Sequence, residues 1–197
     1  MTGGTPTDAE IIEGSFSEPE RFAGLYDRHH GIIHRYLARR LGRDRADDLM
    51  AETFLVAFRR RERYDLGRPD ARPWLFGIAT NLVAQHRREE ARFWRLIART
   101  GVDQSVESPI DQVTDRVSAQ GMRGELAAVL ARLPRGQRDV LLLSAAGGLT
   151  AGEIAAALGI AEGTVHSRLS RARKKTSDAL GGTDPRETGE RYVHERA

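Results

Sequence analysis

The sequence predicts an all-α protein, two small helical domains joined by an acidic flexible linker, with the C-terminal domain a helix-turn-helix. Three observations predict it. Apolar residues recur at helical spacing almost throughout, and no segment alternates as a strand would. Helix-start and helix-stop residues bracket the periodic runs. Between residues 100 and 121 the periodicity breaks at Gly101, Ser105, Ser108, Pro109 and Gly121, while Asp103, Glu107, Asp111 and Asp115 outnumber the single base Arg116. The expected organisation is a flexible N-terminus over 1–15, a helical domain over 16–99, a linker over 100–121, a second domain over 122–180 and a flexible tail over 181–197.

The first helix is expected to open at Ser17, with Glu20 completing a capping box, and to carry the stripe Phe22, Leu25, Tyr26, Ile33, Tyr36, Leu37, Leu41 up to Gly42. The second starts near Asp44 as N-cap and buries Ala46, Leu49, Met50, Thr53, Phe54 and Ala57. Residues Tyr64 to Asp70, with Gly67 and Pro69, form a loop. The third helix follows Asp70, tolerates Pro73 in its first turn, and presents Trp74, Leu75, Ile78, Ala79 and Leu82 before running on as an arginine-rich helix towards Arg99.

Composition narrows the function. None of the 197 residues is cysteine, which excludes disulfides, thiolate metal sites and a cysteine nucleophile. No apolar run approaches the roughly 20 residues that cross a bilayer, and Met1 to Glu10 carry no signal-peptide pattern; a soluble, cytoplasmic protein is expected. The net charge is only +3, so the distribution of charge says more than its total. Bases gather at Arg87, Arg88, Arg92, Arg95 and Arg99 and again from Arg168 to Lys175, while acids gather at Asp44, Asp47, Asp48 and Glu52.

The most specific motif is LTAGEIAAALGIAEGTVHSRLSRARKK. Thr150 and Glu153 make a capping box, Ile154, Ala155 and Leu158 supply an inner face, Gly159 closes the helix, and Ile160 turns inward. A second helix begins near Glu162, without a side-chain cap at Ala161, and turns Val165, Leu169 and Ala172 inward. Thr164, His166, Ser167, Arg168 and Arg171 are left outside, where such a helix meets base edges in the major groove. Arg173, Lys174 and Lys175 can neutralise phosphates. An amphipathic pair with a solvated basic face is the bland reading; the capped, glycine-turned spacing favours DNA binding.

The strings FAGLYDRHHGIIHRYL, DDLMAETFLVAFRR, ARPWLFGIATNLVAQHRR and LPRGQRDVLLLSAAGGLTAGEIAAALGIAEGTVHSRLSRARKK, in this order, resemble the extracytoplasmic-function (ECF) group of the sigma-70 family of bacterial RNA polymerase sigma factors. The resemblance covers Phe22 to Leu180. It implies a protein without catalytic activity or cofactor that binds core RNA polymerase through its β′ and β subunits and directs it to promoter DNA, with an anti-sigma factor as a further partner, and that is monomeric when free. It implies that Asp48, Leu49, Glu52 and Phe54 serve docking on the β′ coiled coil. It places −10 recognition and melting on the third helix and the loop before it, with Asn81 suited to a base edge and Arg87 and Arg88 to the backbone. Gln85 stands where an aspartate often precedes the final basic pair, so it has two readings, an adenine contact or a solvent-facing amide. Trp74 likewise can stack on DNA or fill the core, and its spacing favours the core. The −35 element falls to Thr164, His166, Ser167, Arg168, Arg171, Arg173 and Lys174. The alternative is a helix-turn-helix response regulator without sigma activity, whose usual receiver domain would need strands.

His30 and His34 have a metal-compatible spacing, but no third ligand is evident and Gly31 stands where the metalloprotease signature has glutamate. No metal site, catalytic constellation or phosphate loop is expected.

Overall fold

The computed structural model describes residues 5–100, 126 and 128–180, with side chains described as far as Phe93 in the long helix. Every regular element among them is helical. The expected linker core (101–121) and tail (181–197) lie outside the described residues.

Residues Asp8–Gly14 form helix α1, in place of the flexible N-terminus that the sequence predicts. Thr7 accepts from the Glu10 N–H (3.2 Å) and the Glu10 carboxylate accepts from the Thr7 N–H (2.7 Å), a complete capping box. Ile11 and Ile12 are buried, which gives this short helix the tertiary support that its length alone could not. The capping box expected at Ser17 does not form. The Ser17 hydroxyl instead donates to the Gly14 carbonyl (3.3 Å), a 3₁₀ turn spans Pro19–Phe22, and α2 (Ala23–Leu41) begins without a side-chain cap.

Gly42, at φ 84°, ends α2 and leads directly into α3 (Arg43–Arg60). Asp44 is therefore not the N-cap; it sits in the first turn, where its charge favours the positive end of the helix. After a 3₁₀ turn at Arg61–Arg63 and an irregular segment, α4 runs over Arg72–Thr100. Asp70 organises its start by accepting from the Arg72 N–H (2.9 Å) and from the Arg72 guanidinium (2.7 Å).

These helices share one core. Leu25, Ile33, Tyr36 and Leu37 of α2 meet Ala46, Leu49, Phe54 and Ala57 of α3 and Leu75, Phe76, Ala79 and Val83 of α4, all buried. Burying each large apolar side chain is worth about 1.5–3 kcal/mol. The Tyr36 ring meets Phe76 edge-on at 5.2 Å, and its hydroxyl shares a 2.7 Å hydrogen bond with Thr80, so this buried polar group is satisfied. Of the expected stripe residues, Met50 and Leu82 are half-buried, and Tyr26 is 37% exposed with its ring edge on Phe54.

Farther along, α5 spans Arg135–Ala145, α6 Ala151–Leu158 and α7 Glu162–Ala179. Arg138 ties the helical residues 128–132 to α5 by donating to the carbonyls of Leu130 (2.6 Å), Leu133 (3.0 Å) and Ala131. The capping box predicted at Thr150 and Glu153 is formed, and Gly159 closes α6 in the left-handed region at φ 63°, which other residues adopt only with strain.

Contacts divide the chain into Met1–Gly101 with Leu142–Glu162, and Val102–Leu141 with Gly163–Ala197. This grouping crosses the expected boundary at 121/122. The reason lies within the first unit, where α6 packs on α4. Gly77 makes that approach possible: a Cβ there would stand 2.6 Å from the Ala157 carbonyl oxygen. Gly77→Val is accordingly expected to cost about 1–3 kcal/mol through overpacking. A lower urea midpoint with faster amide exchange over 151–158 is the expected result; an unchanged midpoint would contradict the packing.

Candidate functional site

Three surfaces carry the residues that the sequence singles out. The first is α3. Asp48 and Glu52 are exposed, four residues apart, and so lie on one face. Leu49 and Phe54 point the other way and are buried, each 6% exposed. Their side chains pack into the helical core and fix the helix. The face continues to Leu55, which is 46% exposed, and Arg59. Leu55 is an apolar side chain left in water between charged neighbours, an arrangement common in the centre of a partner surface. The periodicity hid it, because Leu55 falls next to the buried Phe54 in sequence.

The second surface is α4 with the segment before it. Asn81, Gln85 and Arg88 are exposed at spacings of four and three, a single stripe. The Gln85 amide donates to Glu89 at 3.0 Å. Arg87 is turned away from that stripe, and its guanidinium donates to the Arg40 carbonyl at 2.8 Å, tying α4 to the end of α2. His86 lies 2.6 Å from the Arg45 guanidinium and 3.3 Å from Glu90, so it too joins helices. Trp74 is half-buried with its ring centre 5.0 Å from that of Tyr64.

Residues 64–71 are irregular but held. The Tyr64 hydroxyl donates to the Arg68 carbonyl (2.6 Å), and the Gly67 N–H donates to Asp65 (3.1 Å). Burial, with Asp8 and Asp70 nearby, pushes the Tyr64 phenol up to about 12, so it remains a donor at neutral pH. Leu66, at the turn, is 39% exposed.

Behind this segment sits a buried cluster without any sequence signal. Asp8 Oδ1 accepts from Arg28 (2.5 Å), and Oδ2 accepts from His29 (2.7 Å) and from the Ala71 N–H (2.8 Å). Burial alone would raise the Asp8 carboxyl; the hydrogen bonds from His29, Ala71 and Arg28 outweigh it and hold the group below the ordinary carboxylate range. A depressed folded value means that Asp8 contributes stability above the unfolded pKa near 3.9, lost as pH falls through the folded value. Asp8→Asn is therefore expected to flatten the acid limb of the stability curve below about pH 4, measured by urea titration; an unaltered limb would contradict the pairing.

Asp8, His29 and Asp70 place one ligand atom each within 4.8 Å of one another. Both Asp8 oxygens already receive N–H donors and Asp70 holds Arg72, so donors fill the space a cation would need. His30 and His34 are not brought to one point: His30 stacks on Tyr26 at 5.1 Å, and His34 pairs with Asp47 at 3.1 Å.

The third surface is α7. Val165, Leu169 and Ala172 are buried, as the motif predicts. Thr164, Ser167, Arg171 and Lys174 follow spacings of three, four and three; Thr164 is half-buried and the other three are exposed. The Ser167 hydroxyl donates to the Thr164 carbonyl at 3.1 Å. His166 and Arg173 are exposed beside that stripe. Arg168 is half-buried because its guanidinium lies over Gly136 of α5, where a Cβ would stand 2.9 Å from Nη1.

Comparison with known proteins bears on all three surfaces. Residues 25–93 match the family described as Sigma-70 region 2, and residues 123–176 match Sigma-70, region 4. The ECF RNA polymerase sigma factor SigL of Mycobacterium tuberculosis is 38% identical over 180 residues, covering 89% of this chain and 99% of SigL. The solved structure of CnrH, a sigma factor of Cupriavidus metallidurans, in complex with the cytosolic domain of CnrY, matches with a TM-score of 0.65 at 28% identity over 88% of this chain and 97% of CnrH. The fold is also that of RpoE from Bartonella quintana, solved with the anti-sigma factor NepR, with a TM-score of 0.65 at 24% identity over 81% of this chain and 96% of RpoE.

Proposed function

The chain belongs to the ECF group of the sigma-70 family, factors that bind core RNA polymerase and direct promoter-specific initiation, and from that premise we propose how its residues divide the work. Docking on the polymerase β′ coiled coil falls to the exposed face of α3, where Asp48 and Glu52 supply charge to a basic surface and Leu55 an apolar contact. Leu49 and Phe54 serve this face from behind. Charge on such a rim steers encounter and sets specificity, while the apolar centre supplies affinity. β contacts complete the docking.

The −10 element is read by α4 and the segment over 64–71. Melting needs a place for an unstacked base, which a held loop can supply. Asn81 meets a base edge and Arg88 the backbone. Gln85 reaches DNA only by giving up its bond to Glu89, and Arg87 acts mainly by holding α4 to α2. The −35 element is read by α7: Thr164, Ser167 and Arg171 face bases in the major groove, His166 and Arg168 flank them, and Arg173 and Lys174 neutralise phosphates. The working division is 16–99 for polymerase and −10, 122–180 for −35, with the acidic segment 100–121 between them.

The chain has no chemistry of its own in this account; polymerase supplies the bond-forming step, and the place of action is the cytoplasm. A protein of the class that NepR represents is a further partner, held against the free factor. Among the described residues no helix is long and apolar enough to cross a membrane. None forms a strand, so the receiver domain of a response regulator has no counterpart there.

The observation that carries the proposal is the presence, on one compact unit, of an acidic and apolar face on α3 and a polar, basic stripe on α4. The test is run-off transcription with bacterial core polymerase on a cognate promoter. Promoter-specific transcripts that require this chain are expected. Tight promoter binding without polymerase, and no transcript with it, would overturn the proposal.

A further inference from the structure

Both ends of the segment over 61–71 are fastened to α1 and the residues around it. At one end the Arg61 guanidinium donates to the Ser15 carbonyl (3.3 Å), just past the end of α1. At the other, the Asp8 N–H donates to the Pro69 carbonyl (3.1 Å) and the Ala71 N–H donates to Asp8 Oδ2 (2.8 Å). Asp8 is 3% exposed, and its charge is held by His29 at 2.7 Å and Arg28 at 2.5 Å, both on α2. Arg28 also donates to the Pro6 carbonyl (2.8 Å), so the entry to α1 is fixed as well.

The apolar packing of α1 rests on Ile11 and Ile12, which are buried and take no part in these polar contacts. A buried carboxylate is costly unless fully partnered, and here its partners are one backbone N–H of the loop, the Arg28 guanidinium and the His29 ring on the helix bundle. The carboxylate is the joint through which α2 sets the loop. The loop's own bonds, Tyr64 to Arg68 and Gly67 to Asp65, close the turn but do not attach it to the bundle.

We propose that α1 is a clasp and Asp8 a positioning residue for promoter opening, holding the loop over 64–71 in the shape that receives the unstacked −10 base. This rests on the assignment of that loop to −10 recognition. A loop already held in shape avoids the ordering cost that a free loop would incur when the base enters, so the clasp acts on the isomerisation step and not on polymerase docking. The proposed docking face lies on α3, whereas the polar partners of Asp8 are Arg28 and His29 on α2 and Pro69 and Ala71 of the loop.

The test uses the full chain assembled with core polymerase. Asp8→Ala is expected to leave the affinity for core unchanged and to speed amide exchange over 64–71. It should also slow open-complex formation about tenfold, the scale of one lost hydrogen bond to a charged group, followed by 2-aminopurine fluorescence at the melted −10 position. Asp8→Asn, which keeps an oxygen for the Ala71 N–H, is expected to recover most of the opening rate. Should Asp8→Ala fail to fold, Arg28→Gln loosens the same clasp from a side chain that is 32% exposed, with the same expected signature at smaller amplitude. Unchanged loop exchange, or unchanged opening despite faster exchange, would overturn the proposal. The loop assignment is checked separately by Leu66→Ala, an exposed position outside the clasp: if it does not weaken binding of the single-stranded −10 fragment to the holoenzyme, the assignment falls and not the clasp.

Discussion

Glu52→Arg is expected to weaken binding to core polymerase at least about thirtyfold, the equivalent of roughly 2 kcal/mol for a misplaced interface charge. Glu52 is exposed and makes no contact that the α2–α4 core depends on, so helical content and urea midpoint stay at wild-type values. Leu55→Asp is expected to have the same consequence by a different route, because it places a charge where a dry contact is expected. The two losses are separable by salt. The Glu52→Arg defect shrinks as ionic strength rises, since it is a long-range term, whereas the Leu55→Asp defect persists. Fluorescence anisotropy of labelled protein against core polymerase at two salt concentrations reads both. Wild-type affinity in either variant would remove that residue from the docking face.

Arg171→Ala is expected to cost roughly 1–3 kcal/mol in recognition of the −35 element, concentrated at one or two base positions. Arg171 is exposed in the middle of the α7 stripe, and no hydrogen bond or ion pair holds it among the described residues. Arg168→Ala is expected to differ in kind. Its guanidinium covers the Gly136 backbone, so the substitution removes packing as well as the proposed DNA contact, and part of its loss is expected to appear as lower stability of the free protein. Holoenzyme binding to a panel of single-base −35 variants, together with urea melts of both proteins, tells the two apart. A loss uniform across the panel would make Arg171 a phosphate contact.

How much of this was legible in the sequence depends on the range of the interaction. The helix-turn-helix was readable because each of its signals is local: Thr150 caps with a residue three positions on, and Gly159 occupies a conformation that glycine adopts freely. The cores of α2, α3 and α4 were readable because burial repeats with the helical period, and Leu25, Ile33, Ala46, Leu49 and Leu75 fall where that period puts them. Helix starts were less readable. Ser17 and Asp44 have the right chemistry for capping, yet α2 and α3 open with no side-chain cap, since the preceding turn and Gly42 already set the backbone. The true capping box of α1, Thr7 with Glu10, was present in the sequence but lacked a long apolar run to support it.

What the sequence could not show are the pairings between distant positions. Asp8 meets His29 and Ala71, 21 and 63 residues away, and nothing in periodicity or composition joins them. Arg87 reads as a DNA-facing base in a run of arginines, but its bond to the Arg40 carbonyl spans 47 positions. Leu55 is hidden for the opposite reason: it is apolar, and only its 46% exposure separates it from the core residues around it. Exposure is a property of the folded chain.

The central claim is that α3 brings this protein to polymerase, and the most direct measurement is titration of purified, labelled full-length protein with bacterial core polymerase at low salt. The account predicts a saturable one-to-one complex that Glu52→Arg abolishes at the same concentrations. No complex with the wild-type protein, or equal binding by the variant, would contradict it.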